Sequence, residues 1–160
     1  MLARFVALIV LATPLAVAQA QDHQLDFWVG NWVVTDTTPG AKNPPGTNAI
    51  SRIYGGKVIH ENFKMGTFEG QSWSAFDPKN KIWRQTWVDN SGGYIAMKSV
   101  RVGKDLAIQT LPNPKAPLNA SRMVFYDVTK ESFNWRWEGT TDGGKTWKLN
   151  WRLHYQRKKA

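Results

Sequence analysis

The sequence predicts an all-β fold, an antiparallel up-and-down barrel of about ten strands. Three observations predict it. Apolar and polar residues alternate at period two through nearly every segment from Phe27 onward. Turn residues break that alternation about once per dozen residues. No stretch sustains a helical period for three turns, so little helix is expected. One open sheet of that size would leave two long unpaired edges, and closing the sheet removes them. A two-sheet β-sandwich is the alternative architecture.

Taken in order, strands are expected at 27–36, 48–55, 57–65, 70–76, 81–88, 94–102, 105–110, 121–128, 131–138 and 145–156. The segment Thr37–Thr47 contains Pro39, Pro44 and Pro45, and Leu111–Asn119 contains Pro112, Pro114 and Pro117. Proline cannot donate to a sheet ladder, so both are loops. The other connections are short. Asp77-Pro78-Lys79-Asn80, Asn90-Ser91-Gly92-Gly93, Gly103-Lys104 and Thr129-Lys130 supply turn residues, with glycine where positive φ is wanted. In the ninth strand Phe133, Trp135 and Trp137 oppose Asn134, Arg136 and Glu138. In the last, unbroken alternation puts Trp147, Leu149, Trp151, Leu153 and Tyr155 on one face.

The 160 residues hold one domain. There is no cysteine, which excludes a disulfide scaffold, a thiol nucleophile, a cysteine-ligated zinc site and an acylated lipoprotein anchor. The three histidines are His23, His60 and His154, and no metal-ligand spacing links them. No cofactor is expected. Residues 1–20 read as a secretory signal peptide. Arg4 gives the positive start, Phe5 to Val17 the apolar run, and Ala18-Gln19-Ala20 the cleavage site. One lipocalin-like domain is expected over 21–160, exported to the periplasm or secreted. No later segment is long and apolar enough to span a bilayer. The net charge of +9 falls by one with Arg4. A basic exported chain is compatible with weak association with anionic envelope surfaces. Nucleic acid is not an expected partner. Arg136 lies on the opposite strand face from Trp135 and Trp137, which separates charge from stacking surface.

Several motifs carry a resemblance. Phe27-Trp28-Val29-Gly30-Asn31-Trp32 opens the chain after the leader. Trp83-Arg84-Gln85-Thr86-Trp87-Val88-Asp89 follows, then Asp142-Gly143-Gly144-Lys145-Thr146-Trp147. Together they resemble a bacterial family of exported lipocalin-like proteins of unknown function, with a calycin-type barrel. The similarity spans nearly all of the chain after the leader. It implies a β-barrel and an exported location, and it implies no activity. In lipocalins the tryptophan of Gly-x-Trp closes one barrel end under a basic residue from a late strand. The resemblance therefore gives Trp32 a structural role, with Arg152 or Arg157 as its partner. The Asp142-to-Trp147 segment also looks like the Asp-box hairpin of sialidases, in which Asp142 binds turn amides and Trp147 packs beneath. That device recurs in unrelated folds, so its role here is structural.

The candidate ligand-binding residues are Glu61, Trp83, Gln85, Trp87, Trp135 and Trp137. Trp83, Gln85, Trp87 and Asp89 share one strand face, and polar groups between apolar walls are what a ligand pocket needs. Glu61 shares a face with Ile59 and Phe63, so it must be paired, protonated or wet. An arginine inside the barrel, Arg84, Arg136 or Arg152, is its expected partner. The expected function is non-enzymatic binding of a small, partly apolar ligand in a tryptophan-lined cavity, oriented by Glu61 and Gln85, with the two proline-rich loops shaping the mouth. Two other readings compete. One is a small exported enzyme using Glu61 or Asp89 as general base. The other is a binding module for anionic cell-envelope polymers. No catalytic residue is assigned. Trp32, Asp142, Trp147 and Arg152 are read as structural, and no residue is read as a metal ligand.

Overall fold

In the computed structural model, residues 23–159 are described. The leader expected over 1–20 lies outside the described residues. Strands follow one another as β1 (Gly30–Asp36), β2 (Gly46–Ile53), β3 (Val58–Met65), β4 (Phe68–Asp77), β5 (Ile82–Asp89), β6 (Tyr94–Val102), β7 (Asp105–Thr110), β8 (Ala120–Tyr126), β9 (Ser132–Thr140) and β10 (Lys148–Arg157). Each pairs antiparallel with its neighbour in sequence, and β1 pairs with β10. The barrel is closed and no sheet edge is left, so the sandwich alternative is excluded.

The alternation sets the inside. Asn48 and Ile50 on β2, Ile59, Glu61 and Phe63 on β3, and Ser72 and Ser74 on β4 are buried. Their in-between neighbours are more exposed. On β5 Trp83 and Gln85 are the buried pair, so Trp83, Gln85, Trp87 and Asp89 face inward.

One end of the barrel is plugged. A 3-10 turn at Asp26–Trp28 occupies part of the segment expected as the first strand. It lays Leu25 and Trp28 across the interior. Trp32 donates its indole N–H to the Trp28 carbonyl at 2.8 Å and meets Phe133 edge-on at 4.9 Å. Phe133 in turn stacks on Tyr155 at 4.3 Å. Arg157 covers Trp32, its guanidinium carbon 4.2 Å from the ring centre. It also donates to the carbonyls of Val29 and Lys130. Of the two expected partners for Trp32, Arg157 is the one in place. Arg152 instead donates to the Thr37 carbonyl, at 2.6 Å from Nη2, and tethers the 37–45 loop to β10. Gly30 is required here. It has φ +144°, and a Cβ there would sit 2.2 Å from Arg157 Nη1.

Asp142 holds the last hairpin as its motif predicts. It accepts from the Thr146 amide, the Thr146 hydroxyl and the Thr140 hydroxyl. Trp147 caps that turn by donating to the Gly144 carbonyl. The expected single face of β10 is corrected by a bulge between Leu149 and Trp151. Leu149 pairs with Glu138, and Trp151 pairs with Trp137. One extra residue therefore puts Leu149 with the outward set and leaves Trp151, Leu153 and Tyr155 inward. Trp147 is outside too, under the Arg122 guanidinium at 3.6 Å.

Candidate functional site

The end opposite the plug holds a cavity of about 200 Å³. Short distances between rings define its wall. Phe63 meets Trp151 at 5.7 Å, and Phe68 stacks on Trp87 at 6.2 Å. Trp135 meets Trp151 edge-on at 5.6 Å and stacks with Trp137 at 6.4 Å. Glu61 lies deep in the cavity and Asp89 at its rim.

The β5 block builds much of this. Gly70 on β4 pairs with Asp89, and a Cβ there would lie 2.0 Å from the Trp87 indole. A glycine at 70 is thus what lets Trp87 lie across the wall. The Trp87 indole N–H donates to Asp89 Oδ2 at 2.9 Å. Asp89 also accepts from the Ser91 and Gly93 amides and the Ser91 hydroxyl. Those bonds, Ser91 and Trp87 foremost, hold the Asp89 carboxyl down to about 2. Asp36 does the same across the rim. It accepts from the Trp151 indole at 2.9 Å and from Asn43 at 2.7 Å. Against the cost of burial, bonds from Thr38, Asn43 and Trp151 keep its carboxyl below the ordinary aspartate range.

Glu61 has no arginine. Asn48 Nδ2 donates to Oε1 at 2.7 Å, and the Ser72 hydroxyl donates to Oε2 at 2.6 Å. Gln85 Nε2 bonds Ser72 and Ser74 behind them, at 3.2 and 3.0 Å. Burial pushes the Glu61 carboxyl above the ordinary glutamate range, although both hydrogen bonds pull the other way. The same burial, with the Glu61 charge nearby, raises the Tyr155 phenol well above its usual value. The expected arginine partners are engaged elsewhere. Arg84 pairs with Asp77 at 3.0 Å. Arg136 and Arg122 share Glu138 at 2.9 and 2.5 Å. Outward-facing positions on the strands cannot reach the interior.

Of the six candidate residues, the structure brings Glu61, Trp87, Trp135 and Trp137 together in the cavity wall. Trp83 is not among them. It is fully buried and packs on Phe76 at 5.6 Å, deeper in the barrel. Gln85 is buried behind Ser72 and reaches the cavity only through that hydroxyl and Glu61. Sequence reasoning missed Phe63, Phe68 and Trp151 as cavity residues. Strand parity on β3 offered Phe63, since it shares a face with Glu61. Trp151 was grouped with residues that the bulge sends outward. The proline-rich loops sit at this end of the barrel but do not line the cavity. Residues of 111–119 instead border a separate surface hollow beside the Asp142 hairpin. His60 is on the outer face, stacked on Trp73 at 5.2 Å. Among the described residues no group of three or more metal-ligating side chains converges, and no helix is long and apolar enough to cross a membrane.

The chain matches no protein-family model and no curated protein.

Proposed function

We propose that this protein is an exported barrel that binds a small, partly apolar molecule in the cavity at its open end. One observation carries the reading. Rigid aromatic walls surround a deep carboxyl whose hydrogen-bond partners are all neutral. Apolar walls with few fixed polar groups are the composition of ligand sites. A volume of about 200 Å³ is below the roughly 300–1,000 Å³ of drug-sized pockets, so the ligand is small. Export rests on the leader pattern, and membership of the lipocalin-like family rests on the motifs.

Native mass spectrometry of the protein purified from its own export compartment tests this. A reproducible added mass, lost on denaturation and lost in a Trp135→Ala variant, is the expected result. A bare chain, with no small molecule quenching the cavity tryptophans, would overturn it.

A second reading is favoured by one observation. Glu61 is an acid in a reachable cavity, with its carboxyl shifted upward. An upward shift is the direction that suits a glutamate to general acid or base work. Asp89 is the poorer candidate, because its hydrogen bonds hold it ionised and weakly basic. Turnover of any candidate substrate should vanish in Glu61→Gln with binding retained. Turnover surviving that change would remove the enzymatic reading.

A further inference from the structure

The cavity has a charge pattern opposite to that of the chain. The sequence carries 21 basic side chains against 12 acidic ones. Yet the titratable groups lining the cavity are Glu61, Asp89 and Tyr155, and none is basic. Elsewhere the chain caps its own ring faces with cations. Arg157 covers Trp32 at 4.2 Å, Arg122 covers Trp147 at 3.6 Å and Arg136 lies 5.0 Å from the Tyr126 ring centre. Some acids elsewhere are also met by a cation, Glu138 by Arg122 and Arg136 and Asp77 by Arg84. The cavity has ring faces and acids together, and among the described residues no cationic side chain lines it.

We infer that the ligand is a small organic cation, a quaternary ammonium or a protonated amine, held against the faces of Trp87, Trp135 and Trp151 with Glu61 beneath it and Asp89 at the rim. This rests on the small-molecule reading above and names its ligand class. Three physical arguments support it. Aromatic faces attract cations, and more strongly when water is excluded. Burial makes the ionised Glu61 carboxylate costly, and Asn48 and Ser72 supply hydrogen bonds but no charge, so a bound cation would offset that cost. The indoles of Trp87 and Trp151 each donate to a carboxylate, which makes their ring faces more electron-rich. Methylated ammonium groups are also partly apolar and weakly hydrated, so the same walls suit their methyls.

The test is calorimetric titration of the protein with choline and with its uncharged isostere, in which carbon replaces the nitrogen. Choline should bind at least about tenfold tighter than the isostere, the scale of a desolvated cation–π contact. Choline keeps its charge at every pH, so pH dependence reports on the protein. Facing Glu61 are Tyr155 from β10 and Asp89 at the end of β5, with His60 next to it on the outer face of β3. β6, β8 and β9 contribute only apolar walls. Asp89 is held ionised and Tyr155 neutral while Glu61, raised above its ordinary value, titrates, so affinity should rise with pH as Glu61 ionises. Glu61→Gln should lose the preference and the pH dependence, and His60→Gln should keep both. Equal or tighter binding of the isostere to the wild type would overturn the cation assignment and leave the small-molecule site standing. Binding of neither would overturn both. This comparison needs only the wild type, so it holds even if Glu61→Gln fails to fold.

Discussion

At the closed end of the barrel Trp32 is 1 % exposed beneath Arg157, while at the open end Trp87, Trp135, Trp137 and Trp151 stay half-buried, with no basic side chain in the wall among the described residues. The residue types are the same. At the closed end the interior is filled by Trp28, Phe125 and Phe133, and the chain's own C-terminal arginine caps the plug. At the open end the described residues supply aromatic walls and two acids around a cavity of about 200 Å³. The difference teaches that tryptophan content alone marks neither core nor site. What separates them is whether the chain also provides the cation and the filler.

Stability should divide along that line. Trp32→Ala should cost about 3–5 kcal/mol in denaturant unfolding, because a fully buried ring leaves a cavity. Trp135→Ala, already bordering a cavity, should cost less than about 2 kcal/mol. Equal costs at the two ends would break the comparison. Gly70→Ala comes next, at about 1–3 kcal/mol, since a Cβ would meet the Trp87 indole and drive it from its place. Loss of ligand-dependent tryptophan fluorescence should accompany it; unchanged binding would mean that the Trp87 position does not matter. Arg157→Met should cost about 1–2 kcal/mol through lost ring contact and lost carbonyl bonds, and should leave ligand affinity unaltered.

The smallest expected effect is the most specific. The folded state holds the Glu61 proton more tightly than the unfolded chain does. That contribution is full below the ordinary glutamate value of 4.5 and is lost as pH rises through the higher folded value. Glu61→Gln should therefore gain about 0.5–2 kcal/mol near neutral pH and flatten the pH profile of melting. A variant less stable at neutral pH, with an unchanged profile, would show that Glu61 is not the unneutralised group.

Much of the fold was legible because two signals agreed. Period-two alternation and turn chemistry located all ten strands to within a few residues. The exceptions have physical causes. Residues 27–29 alternate like a strand, but a 3-10 turn carries them across the barrel end. The bulge near Asn150 reversed the face of Trp147 and Leu149, and no local pattern announces one extra residue. The site was legible in part. Glu61 stood out as an acid on an apolar face, and Trp87 as a member of a distinctive block. That Trp83 lies in the core and Trp87 in the cavity depends on depth along the barrel, which a single strand does not encode. That Arg84 and Arg136 point away from Glu61 followed from their alternation with the inward Trp83, Gln85, Trp135 and Trp137, whereas the neutral partners Asn48 and Ser72 depend on cross-strand register, which no single strand encodes.

The proposed cation site requires an unneutralised Glu61 at the open end. Carbon-13 NMR titration of the glutamate side-chain carboxyls tests it most directly, since only Glu61, Glu69, Glu131 and Glu138 contribute. Glu61 should titrate above the ordinary glutamate value in the free protein and move down when choline is added. A Glu61 that titrates at or below that value, or that is unmoved by choline, would contradict it.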